Sequence, residues 1–251
     1  METSDQLGPL NKDRINALKQ ETSIVSPETE NTYYKPVVRS TVDFMMNNFG
    51  HFMREDIREK TKGLEDRLII TNPSGMNKIL QEALKGGRTR GYKGVAEPSA
   101  FTFLREGVMV LCSTEDQWEK IYTEEERQAL VQSAGRNEDE VRRYFGMLTL
   151  SAATIHETLH QFHDPRLPYN FAEFGITFYQ GRIISQLGLP DLQSSKTVYM
   201  LRGLYAHLIE RFGDDIHKVF FNLDSDITPD NKILIGEAMK KVTDDILGKN
   251  E

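Results

Sequence analysis

Apolar residues recur along the chain in runs at helical spacing, interrupted by short β-branched stretches, and that alternation predicts the elements. Val38, Val42, Met45, Phe49, Phe52, Met53 and Ile57 return every three or four residues, which predicts one amphipathic helix over 38–60. Arg67 to Thr71 reads RLIIT and is closed by Asn72, Pro73, Ser74 and Gly75, a strand followed by a turn; helical spacing resumes over 76–84 and ends at Gly86 and Gly87. Two apolar runs, 100–104 and 108–112, flank Arg105, Glu106 and Gly107 in the arrangement of a β-hairpin. The charge-dense stretch 119–139 predicts solvated helices anchored by Trp118 and Tyr122, with Thr123 capping Glu124, Glu125 and Glu126. After it, Tyr144, Phe145, Leu148, Ala152, Ile155, Leu159 and Phe162 form the stripe of a buried helix, which Pro165 and Pro168 stop.

The remainder is helical in pattern. A helix is predicted over 171–187, a loop over 188–195, and a helix carrying Val198, Leu201, Leu204, Tyr205, Leu208 and Ile209 as far as Gly213. Asp214 opens another with Ile216, Val219 and Phe220. Thr228 and Pro229 open the last, with Ile233, Ile235, Met239, Val242 and Ile246 read as one face. The first 36 residues are polar, with apolar residues sparse at Leu10, Ile15 and Leu18, and are read as a flexible N-terminal arm with at most one short helix. The expected class is therefore α+β, with a domain over 37–251.

Composition narrows the partners. With 251 residues and 38% hydrophobic content the chain can bury a core as one compact unit with a tail. Its formal charge of −7 is scattered, which offers no basic face to nucleic acid and no polybasic patch to a membrane. Cys112 is the single cysteine, so no internal disulfide forms, and its apolar surroundings suit a small buried hydrophobe. No charged leader precedes an apolar run and no apolar run approaches bilayer length, so a cytoplasmic protein is expected.

Candidate chemistry lies in 155–180, IHETLHQFHDPRLPYNFAEFGITFYQ. His156, Glu157 and His160 form an H-E-x-x-H motif, and residues four apart on a helix share a face, so both imidazoles can grip one ion. Zinc suits two neutral imidazoles plus a third protein ligand and an open position. Glu157, one residue beyond the first histidine, can lean over the metal-activated water as general base. Three nearby residues could supply the third ligand: His163, Asp164 and Glu173. The first two follow His160 too closely to fold back without crowding, whereas the second helix can present Glu173 from the opposite side.

HETLH, a turn and then EFGITFYQ resemble the gluzincin clan of zinc metallopeptidases. That resemblance implies His156, His160 and Glu173 as ligands of one Zn2+ per chain, Glu157 as the base, and a peptide or protein substrate. It implies a zincin-like fold: a small N-terminal subdomain (37–164) with a mixed β-sheet and helices, a mostly helical C-terminal subdomain (165–251), and an active-site cleft between them. Gly94, Val95, Ala96 and Glu97 resemble the substrate-binding strand of the clan's aminopeptidases, with Glu97 as a reader of a substrate amino terminus. A donor to the oxyanion is also needed. Tyr199, Tyr205 and His207 on one helix are candidates, the resemblance favouring Tyr199, and Tyr169 and Tyr179 are further tyrosines within reach of the motif in sequence. The contrasting reading is a catalytically silent zinc-binding regulatory or interaction protein on the same fold; an intact Glu157, and the lack of cysteines to close a structural site, argue for the peptidase.

Overall fold

The computed structural model describes residues 12–85, 100–103, 107–112, 122–191 and 196–247. Among them the fold is α+β and mostly helical, with one small mixed sheet of three strands. In chain order the helices are α1 (Lys12–Thr22), α2 (Lys35–Phe49), α3 (Glu55–Lys60), α4 (Pro73–Lys85) and α5 (Glu124–Ala134). They continue with α6 (Glu138–Leu159), α7 (Tyr169–Gln186), α8 (Lys196–Phe212), α9 (Asp214–Phe221) and α10 (Pro229–Leu247). The chain divides into two compact units, Met1–Arg39 with Gly63–Glu157, and Ser40–Lys62 with Thr158–Glu251.

The first unit holds the sheet. Strands β1 (Leu68–Thr71), β2 (Ala100–Phe103) and β3 (Val108–Cys112) stand in the order β1-β3-β2, with β1 parallel and β2 antiparallel to β3. Every residue of β1 and β3 is buried, which explains why both read as unbroken apolar runs rather than as alternation. Ile69, Val108, Val110 and the buried Cys112 pack with Met76 and Ile79 of α4 and with Leu18 of α1. The segment read as a loose arm is thus helical from Lys12, and Leu18 is fully buried. Its sparse apolar residues suffice because Ile15 and Leu18, three apart, lie on one face and meet the sheet's core. Thr123 and Glu126 form the reciprocal capping box at the start of α5.

The second unit is helical and its core is aromatic. Phe49, Phe171, Phe174, Phe178, Tyr179, Tyr205, Phe220 and Phe221 are buried together, with centroids such as Tyr179–Phe220 5.1 Å apart. Helices α7 and α9 approach closely: a Cβ on Gly175 would lie 2.3 Å from Cε2 of Phe220, so only glycine fits.

Three expectations are corrected. The helix predicted over 38–60 is broken after Phe49 by a 3₁₀ turn at Gly50–Phe52 and extended Met53, and restarts as α3; glycine is a weak helix former, and the apolar spacing continues across the break without revealing it. Ile235 of α10 is buried while Ile233 is exposed, because residues two apart point roughly 200° from one another and cannot share a face. Tyr144 is likewise exposed although it falls in line with Leu148 and Ile155, because no residue of α6 from 142 to 147 is buried. Gly94–Glu97, Trp118 and the 104–106 turn lie outside the described residues.

Candidate metal centre

Helix α6 carries His156 and Glu157 in its last turn, and His160 follows immediately after Leu159. The helix closes with tightened bonds, Gln161 N–H donating to the Thr158 carbonyl and Phe162 N–H to that of Leu159, both at 3.0 Å. The turn therefore persists far enough to keep His160 on the face of His156. One ligand atom each from His156, Glu157 and His160 lie within 4.8 Å of one another. This group of two imidazoles and a carboxylate could hold a metal ion.

Glu173 enters from α7. Pro168 ends the turn after the motif and stands at the N-cap of that helix, and the Glu173 carboxylate comes to lie with Oε1 3.1 Å from His160 Nε2. Two ligands of a tetrahedral zinc ion at ordinary bond lengths stand about 3.3 Å apart. Glu173 meets His160 in this way, but the ligand atoms that all lie within 4.8 Å of one another belong to His156, Glu157 and His160, and Glu173 is not one of that group.

The neighbouring histidine sets which nitrogen of His160 faces that position. His163 is buried, and burial holds it down to about 4, so its ring is neutral at neutral pH. Its Nδ1 lies 2.9 Å from the Asp164 carbonyl, which can only accept, so Nδ1 carries the proton and Nε2 keeps its lone pair. That Nε2 lies 3.5 Å from His160 Nδ1, so a proton on Nδ1 would leave the Nε2 lone pair for an ion shared with Glu173, whereas without an ion Nε2–H donates to the Glu173 carboxylate. His163 is in this way the orienting neighbour of a ligand candidate rather than a ligand (a metal-held histidine commonly donates its second N–H to such a partner).

Asp164, the other short-range candidate, is occupied. Its fully buried carboxylate accepts from Arg166 Nη2 at 2.6 Å, from Arg166 Nε at 2.9 Å and from the amides of Arg166 and Leu223 at 3.0 Å. Burial alone would raise its pKa; the Arg166 and Leu223 hydrogen bonds outweigh that and hold it near about 2. Asp164 pins the turn between α6 and α7 to the start of the 222–228 segment, and so fixes the position of His163.

Glu157 is buried, at 6% exposure, and a carboxylate there requires a partner. Thr102 of β2 provides it, donating to Oε2 at 2.6 Å and lying 3.2 Å from the Glu157 carbonyl oxygen. Sequence reasoning missed Thr102 and the roles of His163 and Asp164. A threonine between Phe101 and Phe103 looks like an ordinary strand residue, and nothing in its own segment connects it with a helix 55 positions away.

The proposed oxyanion donors sit on α8 or in the core. Tyr199 is 54% exposed, with the Arg202 guanidinium over its ring, and His207 is an exposed residue 3.6 Å from Glu210. Tyr205 and Tyr179 are fully buried with their hydroxyls 3.3 Å apart, and burial raises the pKa of both. Neither of those two hydroxyls faces solvent. Tyr169, at the start of α7, is exposed.

Comparison with protein-family models, with curated proteins and with solved structures returned no match. No helix among the described residues is long and apolar enough to cross a membrane.

Proposed function

We propose that the chain is a zinc-dependent peptidase in which His156, His160 and Glu173 hold one ion and Glu157 is the general base. The observation that carries this reading is the 3.1 Å approach of Glu173 Oε1 to Nε2 of His160. In this reading Glu173 adds a carboxylate from a second helix to the compact group of His156, Glu157 and His160. When bound, zinc supplies a Lewis acid that polarises the scissile carbonyl and brings the acidity of a water towards neutrality. Glu157 accepts the proton of the attacking water at a carboxylate oxygen and returns it to the leaving amine. His163 stands beside His160 Nδ1 to accept its N–H when Nε2 holds the ion, and Asp164 keeps His163 in place. Tyr199 is the oxyanion donor in this reading, preferred over His207 because the latter faces the Glu210 carboxylate.

The gluzincin kinship and a zincin-like arrangement of subdomains belong to the same proposal. A mixed sheet preceding the motif helix and a carboxylate on the next helix support them, and peptide or protein substrates follow from them. The test is elemental analysis of protein purified without chelator, beside digestion of a mixed peptide library by wild type and Glu157→Gln. The expected result is one zinc per chain in both, with turnover by the variant reduced by about 10²–10⁴-fold. Zinc in the wild type without hydrolysis would favour the silent zinc-binding alternative, and no zinc at all would falsify both.

A further inference from the structure

Two carboxylates lie beside His160, and their geometry alone does not make one a ligand and the other a base. A carboxylate oxygen of Glu157 is within 4.8 Å of ligand nitrogens of both His156 and His160, near enough to bind an ion they share. What separates the two acids is their partners. Glu173 presents Oε1 to the His160 nitrogen, whereas Glu157 has its Oε2 tied to the Thr102 hydroxyl at 2.6 Å. We propose that Thr102 is a positioning residue that keeps Glu157 in the role of base by holding its carboxylate off the metal. The inference rests on the metal-hydrolase reading above and adds to it the residue that decides which acid does which task.

The restraint is stiff on both sides. Thr102 sits in β2, opposite Met109 of β3 in an antiparallel ladder, and a β-branched side chain in a strand has few rotamers available. A hydroxyl has one proton, and at 2.6 Å to an ionised oxygen it makes a short charge-assisted bond; the carbonyl contact at 3.2 Å is secondary. Glu157 is buried, so water does not compete for that oxygen as it would at the surface. With Oε2 held on the strand side, Oε1 remains for the proton of the attacking water.

The test compares Thr102→Val, which replaces the hydroxyl by a methyl of similar size, with Thr102→Ser, which keeps it. Cobalt(II) is loaded in place of zinc and its visible absorption recorded, zinc affinity is measured by chelator competition, and turnover is followed on a peptide pool cleaved by the wild type. Released from Thr102, the Glu157 carboxylate adds to the coordination sphere. Thr102→Val is therefore expected to bind zinc more tightly and to give a weaker cobalt absorption, as an ion with more than four ligands does. Its kcat should fall by roughly 10–100-fold, the range for lost outer-shell partners, with KM little changed. Thr102→Ser should restore all three. Adding Glu157→Gln to Thr102→Val should return the cobalt spectrum to that of Glu157→Gln alone, because the change requires the carboxylate; a general disturbance of the site would persist. Thr102→Ala carries the same expectation where valine disturbs the strand. A Thr102→Val spectrum equal to wild type, or a serine variant as altered as the valine one, overturns the inference alone. A wild type that takes up neither cobalt nor zinc overturns the metal reading and this inference with it.

Discussion

Helix α7 serves two histidines in opposite ways. At Glu173 it presents a partly exposed carboxylate to His160, and six residues later it presents the Tyr179 hydroxyl to His217. His217 lies among Phe49, Phe52 and Tyr179, with Nδ1 hydrogen-bonded to the Tyr179 hydroxyl at 2.7 Å, and is 8% exposed. Burial pushes it down to about 4, with Asp214 opposing and Arg182 and His51 adding to the shift. Both histidines belong to apolar helical segments, but only His160 has a second histidine and a glutamate beside it at the spacing of one helical face. The partner distinguishes them: a carboxylate beside a second imidazole can share a cation, whereas a hydroxyl inside an aromatic shell satisfies a neutral ring and ends there.

Removing either histidine's partnership should therefore fail differently. His160→Ala is expected to lose bound zinc and turnover together while circular dichroism and thermal unfolding of the chelated protein stay close to wild type. Tyr179→Phe should do the reverse. It keeps zinc and leaves His217 Nδ1 with an unmet bond in the core, costing roughly 1–3 kcal/mol in denaturant unfolding. Zinc loss in Tyr179→Phe, or zinc retention in His160→Ala, would break the contrast.

A smaller change probes the helix that serves both sites. Gly175 lies between Glu173 and Tyr179, and an added methyl would enter the Phe220 ring at 2.3 Å. Gly175→Ala is expected to lower stability by about 1–3 kcal/mol as α7 shifts or Phe220 leaves its rotamer. If α7 shifts, zinc affinity falls as well, because Glu173 moves with it; if Phe220 moves instead, stability falls with affinity intact. Chelator competition on the variant separates the two responses, and an unchanged melting temperature would show that the contact is not as tight as described.

How much of this the sequence discloses depends on how far apart the partners lie. His156, Glu157 and His160 announce themselves because a helix turns fixed spacing into a shared face, and the two prolines signal that a second helix follows close by. Glu173 could be singled out on that ground. Thr102 could not, since its partner is 55 residues away and a strand threonine has many uses. His217 was equally opaque: the pattern of Ile216, Val219 and Phe220 predicts its helix but says nothing of Tyr179 across the core. At the level of elements, unbroken apolar runs disclosed β1 and β3. The Gly50 break escaped because the three-and-four spacing carries on through it; a short helix in the first 36 residues was allowed for, but not that Ile15 and Leu18 dock it on the core of the sheet. Local periodicity was legible, and pairings decided by the fold were not.

The finest test of the contrast is acid titration of stability. An unfolded histidine takes up its proton near about 6.5, whereas His217 in the fold resists until about 4. Between those values the unfolded chain binds more protons, so the contribution of neutral His217 is complete above about pH 6.5 and is lost as pH falls towards 4. Asp164 works in a lower window: its folded value of about 2 lies below that of an unfolded aspartate, so its contribution is complete above about pH 4 and disappears as pH drops towards 2. His217→Gln keeps an acceptor for the Tyr179 hydroxyl and removes the titration. Its curve of unfolding free energy against pH should therefore be shallower than wild type between about pH 6.5 and 4, by up to about 1.4 kcal/mol per pH unit, and parallel to wild type below about pH 4. The other histidines are common to both proteins and cancel in the difference. Two parallel curves across the upper window would mean that His217 protonates freely in the fold, and it would then differ from His160 in partner but not in access to water.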